Sequence, residues 1–170
     1  MRAITACPLP EVAFLHAELQ RGAYADCYTT EIARPVSQAQ FVEAFYTTAL
    51  FAVERRLLQW FVAKPSTDMQ ARELAQGATD AFAAWVVAKR APDQILLADF
   101  TGRTMSWLMA AASGTGGAAR TRLYFGSAVL PARSAGSGRL TLGLGFRLLL
   151  GFHKLYSRSL LYAARSRLEK

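Results

Sequence analysis

The chain has 170 residues, which is the size of one domain and long enough to bury roughly 70% of its unfolded surface. Hydrophobic residues make up 52% of it and charged residues 19%, a composition that excludes intrinsic disorder. The net charge of +8 belongs to the C-terminal part, because residues 101–170 hold 11 Lys/Arg and one acid, whereas residues 1–100 hold 9 Lys/Arg and 11 Asp/Glu. Such asymmetry indicates an anionic partner. The alternative is that acidic side chains of the N-terminal part pair with the basic C-terminal part in the folded protein.

The N-terminal half predicts a strand followed by two helices. Residues 1–22 form an arm or a short helix, and Ala23–Ala33 is a strand because it is rich in β-branched and aromatic side chains. Ser37 stands in an N-cap position, before apolar residues at helical spacing that predict a long helix over Gln38–Val62. Thr67 starts a capping-box pattern for a second helix, which Gly77 can end.

The C-terminal half predicts antiparallel strands and a long last helix. Four strand-like runs are separated by turn residues: Ala81–Arg90, Gln94–Thr101, Arg103–Ala112 and Thr121–Leu130. Short connections of this kind join antiparallel neighbours, so the runs predict a meander. Leu140–Leu168 predicts a helix with an apolar face, including Leu149, Phe152 and Tyr156, opposite a basic stripe. The stripe consists of Arg147, Lys154, Arg158 and Arg165.

Several segments resemble an uncharacterised bacterial family of unknown function that is related to the SRPBCC (START-like) superfamily. The matching segments are FVEAFYTT from Phe41, ILLAD from Ile95, SWLM from Ser106, RLYFG from Arg122 and GFHKLY from Gly151. The resemblance covers most of residues 23–168. It implies the helix-grip fold, in which the last helix lies across a curved sheet, and a cavity for lipids, polyketides or similar molecules, used for carriage or for cyclase-like chemistry.

The fold expected is therefore α+β, with an antiparallel sheet of about five strands or more wrapped around a long C-terminal helix. One domain over residues 1–170 has its core in residues 23–168. START-like sheets usually have six strands after the paired helices, whereas the sequence shows four. Either strands are hidden in the pattern or the sheet is reduced, and a reduced sheet would shrink the cavity.

The sequence contains no recognisable catalytic motif. GxSxG, Walker, HExxH and GxGxxG patterns are absent, and the two cysteines, Cys7 and Cys27, form no CxxC, which argues against a disulfide framework, a zinc site or any cofactor. Asp99 and His153 are the candidates for acid/base chemistry, with Tyr124 or Arg103 assisting. The alternative for Asp99 is a salt bridge to Arg103 at the rim of the sheet.

The leading hypothesis is a domain that binds a hydrophobic small molecule or lipid between the sheet and the last helix. Alternation along the strands puts Trp85, Leu97, Asp99, Trp107 and Phe125 on the inner face. The expected lining is Trp85, Leu97, Trp107, Tyr124, Leu149, Phe152 and Tyr156. A cavity of at least about 300 Å³ is the size that a drug-sized ligand requires.

Two further functional hypotheses stand beside this one. One is a cyclase-like or isomerase-like enzyme that uses Asp99 or His153. The other is a module that rests its basic stripe on an anionic membrane surface or on a protein. Nucleic-acid binding is disfavoured because the basic residues come without Asn and with few aromatics free to stack on bases. The expected location is the cytoplasm or the inner face of its membrane, and the sequence does not give the oligomeric state.

Overall fold

A computed structural model describes residues 3–53, 66–114, 119–133, 140–141 and 144–170, with 132–133, 140–141 and 144–150 described only in their secondary structure. Nine strands lie in the described residues: β1 Thr5–Ala6, β2 Tyr24–Ile32, β3 Ala81–Phe82, β4 Trp85–Ala91, β5 Gln94–Asp99, β6 Thr104–Ser113, β7 Arg120–Val129, β8 Ala132–Arg133 and β9 Leu140–Thr141. The four helices with assigned bounds are α1 His16–Gln20, α2 Gln38–Tyr46, α3 Asp68–Gln76 and α4 Leu144–Leu168.

The strands form an antiparallel sheet in the order β1-β2-β7-β6-β5-β4-β3, and β8 pairs separately with β9. Helix α4 packs against β2, β7 and α2, on one face of this sheet. The predicted α+β fold, with an antiparallel sheet and a long C-terminal helix, is confirmed. The five long strands of the seven-stranded sheet are those that the sequence predicts, and the short strands β1 and β3 form its two edges.

The predicted strand over Ala81–Arg90 consists of two strands joined by a tight turn. Phe82 pairs with Trp85, so that only Ala83 and Ala84 lie between β3 and β4. Ala83 has φ of 52°, in the left-handed region that favours glycine. Because no Gly, Pro or Asn stands at this turn, the sequence gives no sign of it.

Both predicted helix caps are confirmed. The Ser37 hydroxyl accepts a hydrogen bond from the Gln40 backbone N–H, and the Gln40 side-chain oxygen accepts one from the Ser37 N–H, which satisfies two amides at the start of α2. Thr67 and Gln70 make the same reciprocal pair at α3. Gly77 ends α3 with φ of 78°, a left-handed conformation that costs glycine little.

The predicted long helix from Gln38 to Val62 is wrong as a continuous element. Helix α2 ends at Tyr46, and helical residues resume at 49–53, before the gap in the described residues. Two adjacent threonines cause the break, because their hydroxyls bond the backbone locally. Thr47 Oγ1 donates to the Glu43 carbonyl at 2.7 Å, and Thr48 Oγ1 accepts from the Phe51 N–H at 3.1 Å, which caps the second segment.

The sheet is covered on both faces. Its inner face carries Ile95, Leu97, Leu108 and Phe125, which pack with the aromatic residues of α2 and with Leu160, Leu161 and Ala164 of α4. Its outer face carries Leu96, Trp107 and Met109, which pack beneath Leu9, Ala13 and Leu15 of the N-terminal arm. Any site between sheet and helices therefore belongs to the inner face.

Candidate functional site

A cavity of about 160 Å³ lies between the inner face of the sheet and helix α4. Its apolar wall is formed by Phe45, Phe51, Trp85, Phe125, Tyr156 and Leu160. Its polar wall is formed by Thr104, Ser106, Ser127, His153 and Ser157. The cavity is thus largely aromatic, with several small polar side chains, which is the composition of small-molecule sites.

The strand register builds the polar wall. Ser106 of β6 lies directly opposite Ser127 of β7, and Ser127 lies directly opposite Asp26 of β2. Because directly opposed residues of antiparallel strands point to the same face, the three side chains form one polar row across the inner face. Ser106 is also held from the helix side, since its Oγ lies 3.0 Å from the hydroxyl of Tyr46.

Asp26, Ser127 and His153 form a hydrogen-bonded network at the cavity. The Ser127 hydroxyl donates to Asp26 Oδ1 at 2.7 Å and lies 2.7 Å from Nε2 of His153. The same Nε2 is 3.6 Å from Asp26 Oδ2, and the Tyr28 hydroxyl donates to that oxygen at 3.3 Å. Asp26 is 8% exposed at its side chain, so a single buried carboxylate gathers three polar neighbours.

The network keeps Asp26 ionised. Burial by itself would raise the pKa of Asp26, but hydrogen bonds from His153 and Ser127, the charge of His153 and the Tyr28 hydroxyl together bring that pKa below its ordinary value. Burial and the Asp26 charge also raise the pKa of Tyr28, so the phenol stays a hydrogen-bond donor at neutral pH. The network therefore contains an ionised carboxylate whose hydrogen bonds come from its own neighbours.

The network contains the residue types of a serine nucleophile relay without its geometry. In such a relay, the carboxylate bonds Nδ1 of the histidine while Nε2 takes the serine proton. Here Asp26 approaches Nε2, the nitrogen that Ser127 also contacts, and the Ser127 hydroxyl donates to the carboxylate itself. This arrangement can anchor a polar group, whereas it does not prepare Ser127 to attack a carbonyl.

Two buried polar groups of cavity residues have no hydrogen-bond partner within the described part of the chain. They are Oγ of Ser157, a residue that is 1% exposed, and the indole Nε1 of Trp85. Burying a donor unpaired costs about 1–3 kcal/mol, so such groups are few in folded proteins. A hydroxyl and an indole N–H at the cavity supply hydrogen-bonding capacity that the described residues do not use.

Four of the residues singled out in the sequence meet at this cavity. Trp85, Phe125 and Tyr156 line it, as does His153, one of the two acid/base candidates. Leu97 is fully buried in the neighbouring inner core. Phe152 is 67% exposed and stacks on Tyr156 on the outside of the helix. The side chain of Leu149 lies outside the described residues.

Trp107 and Tyr124 lie on the outer face of the sheet, away from this cavity. Their rings are 6.2 Å apart, and the Trp107 indole donates to Gln94 Oε1 at 2.8 Å beneath the N-terminal arm. Alternation groups the residues of one strand into two faces but does not say which face is the inner one. Because β6 is buried on both faces, apolar residues stand at its odd and its even positions alike. The register, in which Leu97 opposes Ser106, puts Ser106 and not Trp107 on the inner face.

Asp99 is the last residue of β5 and is not among the residues that line the cavity. Its carboxylate accepts hydrogen bonds from the Thr101 hydroxyl at 2.8 Å and from the backbone N–H groups of Arg103 and Thr104 at 2.9 and 3.2 Å. The side chain of Arg103 instead donates to the Leu130 carbonyl at 3.4 Å. The expected salt bridge between the two side chains is not formed, because Asp99 bonds the backbone N–H of Arg103 and not its guanidinium. Asp99 therefore closes the β5–β6 turn.

The basic stripe of the last helix is divided by burial. Lys154 and Arg158 are exposed, although Arg158 also donates to the Ile4 carbonyl at 3.3 Å. Arg165 is buried, and its guanidinium donates to Glu169 at 2.8 Å and to Thr30 at 3.3 Å. It does not join an anionic-surface contact. The side chain of Arg147 lies outside the described residues.

Asp26, Ser127 and Ser157 were not expected at the site. One local sign points to Asp26, because aspartate is disfavoured in the interior of a strand and stands here between Tyr24 and Tyr28. Ser127 and Ser157 give no such sign. They are ordinary small residues whose role depends on the register of β7 and on the rotation of α4.

Comparisons with known proteins leave the family unassigned. No protein-family model and no curated protein sequence matches this chain. The crystal structure of CalU16 from Micromonospora echinospora aligns with 99% of this chain and 93% of its own, at 16% sequence identity and a TM-score of 0.30. Within the described residues, no cluster of His, Cys, Asp and Glu is arranged to hold a metal ion, and no helix is long and apolar enough to cross a membrane.

Proposed function

We propose that this protein binds a compact, mainly apolar small molecule in the cavity between the sheet and α4, as a START-like domain of the cytoplasm. The observation that carries the proposal is the polar network of Asp26, Ser127 and His153 at the wall of an otherwise aromatic cavity. An aromatic wall stabilises the body of a ligand by burial, and the polar wall fixes its orientation.

The size of the cavity restricts the ligand. At about 160 Å³ it is about half of the lower limit for drug-sized ligands, and close to an engineered cavity of about 150 Å³ that binds benzene. A single ring therefore fits, whereas a lipid would enter with only part of its tail. The proposed ligand is therefore a compact molecule, or a larger molecule of which only one end enters the cavity.

Hydrogen-bonding capacity restricts its chemistry. The Trp85 indole is a donor only, and the Ser157 hydroxyl both donates and accepts. A ligand oxygen, such as that of a phenol or a carbonyl, can accept a hydrogen bond from either donor, neither of which has a partner among the described residues.

The proposal is tested by titrating phenol, toluene and dodecanoate into the protein and measuring binding by calorimetry or by NMR. Phenol should bind more tightly than toluene. The substitution Ser157→Leu fills the cavity and removes a hydroxyl, so it should weaken the binding of phenol at least tenfold. Ser159→Leu is the matched control, because Ser159 lies on the same helix and bonds the Leu155 carbonyl outside the cavity. Millimolar or no binding of all three probes, or equal loss in both variants, would reject the pocket.

A second function, contact with an anionic membrane surface, is favoured by one feature of α4. Phe152 is 67%, Leu155 65% and Tyr162 49% exposed, and the exposed Lys154 and Arg158 lie among them. Apolar side chains beside cations are typical of helices that rest on anionic headgroups. This surface lies on the outside of α4, so it is compatible with a ligand in the cavity beneath.

Vesicle sedimentation tests the second function. The full chain should sediment with vesicles of phosphatidylserine and phosphatidylcholine but not with phosphatidylcholine alone, and salt should weaken the binding. The double variant Lys154→Glu, Leu155→Glu should abolish it without changing phenol binding. Sedimentation that is independent of lipid charge, or no sedimentation, would reject the membrane contact and leave the cavity proposal standing.

A further inference from the structure

The two cysteines are neighbours across the edge of the sheet. Thr5 of β1 opposes Thr29 and Ala6 opposes Tyr28, and continuing this register by one residue places Cys7 opposite Cys27. The Cys7 N–H donates to the Cys27 carbonyl at 3.0 Å, and the two sulfur atoms lie 3.3 Å apart as free thiols. This proximity is not visible in the sequence, where twenty positions separate the pair.

The geometry suits a bond between the two sulfurs. Opposed residues of antiparallel strands have Cα atoms about 4.5–5.5 Å apart, which lies within the range of about 4.4–6.8 Å found in disulfides. The sulfurs need to approach by roughly 1 Å to reach a bond length of about 2.0 Å. Only Cys7 has to move, because β1 is a two-residue edge strand whereas β2 is paired on both sides.

We propose that Cys7 and Cys27 form an oxidation site, at which a hydroperoxide converts the thiol pair into an intramolecular disulfide. The Cys7 thiolate attacks the peroxide oxygen, the O–O bond breaks with departure of hydroxide or alkoxide, and Cys7 becomes a sulfenic acid. The Cys27 thiol then attacks the Cys7 sulfur, an S–S bond forms, and the sulfenic oxygen leaves as water. Peroxide is reduced by two electrons, and the two thiols are oxidised.

The environments of the two thiols assign these roles. Cys27 is buried beneath the arm, whereas Cys7 is partly exposed and can meet the oxidant first. The hydrogen bond between the two sulfurs lowers the pKa of the Cys7 thiol, an effect that burial opposes without cancelling, and the same contact raises the pKa of Cys27. A thiolate is the reactive form, so Cys7 is the attacking group and Cys27 the resolving one.

The disulfide would close the loop formed by the N-terminal arm. Residues 7–27 include the part of the arm that covers the outer face, so cross-linking its ends restricts the unfolded chain and favours the covered state. Cys27 also follows Asp26 directly, so the new bond lies next to the polar network but on the opposite face of β2. The oxidised protein should unfold at a temperature higher by roughly 5 to 10 °C.

The test is oxidation of the reduced full chain with hydrogen peroxide, followed by peptide mapping under non-reducing conditions and by thermal unfolding. The expected result is a Cys7–Cys27 peptide within one chain, loss of both thiols and the higher unfolding temperature. Cys27→Ser should accumulate sulfinic acid at Cys7 and show no such rise. In the Cys7→Ser variant, Cys27 should stay reduced. This variant tests the proposal even if Cys27→Ser, at a buried position, folds poorly. Disulfides between chains, or Cys7 sulfinic acid beside a reduced Cys27 in the wild-type chain, would overturn the proposal.

Discussion

Asp26 and Ser127 occupy directly opposed positions of β2 and β7, and the Ser127 hydroxyl donates to the Asp26 carboxylate at 2.7 Å. This bond joins residues 101 positions apart in the chain. The same hydroxyl meets Nε2 of His153 and so ties the sheet to α4. The polar wall of the cavity is therefore also a structural link between the two layers.

Asp26 should make stability dependent on pH in acid. Because its folded-state pKa lies below the ordinary value, its contribution is fully present above about pH 4 and is lost as the pH falls through the folded-state pKa. Asp26→Asn should cost about 1–3 kcal/mol at pH 7, since Ser127 and His153 lose their charged partner. The difference from the wild-type chain should shrink below pH 4.

Urea unfolding of both proteins between pH 7 and pH 3 measures this difference. Asp93→Asn serves as the control, because Asp93 is exposed and its side chain lies outside the network. A wild-type advantage that stays constant down to pH 3 would contradict the role given to the Asp26 carboxylate.

Gly126 and Gly151 should respond in opposite directions to alanine. A Cβ at Gly126 would lie 2.8 Å from Leu15 Cδ1, 3.0 Å from the Asp26 carbonyl oxygen and 3.1 Å from the Trp107 ring, so Gly126→Ala should cost about 1–3 kcal/mol by overpacking. A Cβ at Gly151, inside α4, meets nothing within 4 Å, so Gly151→Ala should stabilise by up to about 1 kcal/mol through helix propensity. Equal effects of the two substitutions on thermal unfolding would be inconsistent with this packing.

Local features of the fold were predictable from the sequence, whereas the site was predictable only in part. The caps at Ser37 and Thr67 depend on residues three positions apart, so their pattern stands in the sequence itself. The polar row of Ser106, Ser127 and Asp26 depends instead on the pairing of three strands. The sequence of one strand does not reveal which residue of the neighbouring strand lies opposite each of its own. An error of one position exchanges the inner and outer faces, and for this reason Trp107 was assigned to the wrong face.

The last helix shows a second limit of the same kind. Its pattern correctly indicates an amphipathic helix, but the buried face includes Ser157, Leu161 and Arg165 while Phe152 is exposed. Compared with the predicted apolar face, the buried face of α4 is therefore rotated toward the basic stripe. A buried arginine is rare without a partner, and Glu169 with Thr30 supplies the bonds that permit it. Helical periodicity cannot reveal such partners on another element.

Gln94 should hold the N-terminal arm on the outer face. It is 5% exposed, its Oε1 accepts from the Trp107 indole at 2.8 Å and from the Phe14 N–H at 3.1 Å, and its Nε2 donates to the Val12 carbonyl at 3.0 Å. Gln94→Leu should cost about 2–4 kcal/mol, because it leaves these three groups unpaired. Limited proteolysis should then cut the arm faster, whereas Gln76→Leu, at an exposed position, should leave the cleavage rate unchanged.

Arg165 should behave as a structural residue and Lys154 as a surface residue, although both belong to one stripe in the sequence. Arg165→Met should lower the free energy of unfolding by about 1–3 kcal/mol, because it leaves Thr30 and Glu169 without the guanidinium. Lys154→Met should change it by less than about 0.5 kcal/mol, as is usual for an exposed position. Urea unfolding and sedimentation with anionic vesicles separate the two roles. If Arg165→Met left stability unchanged and weakened vesicle binding as much as Lys154→Met does, the ion pair of Arg165 with Glu169 would not persist in solution and the full stripe would face the membrane.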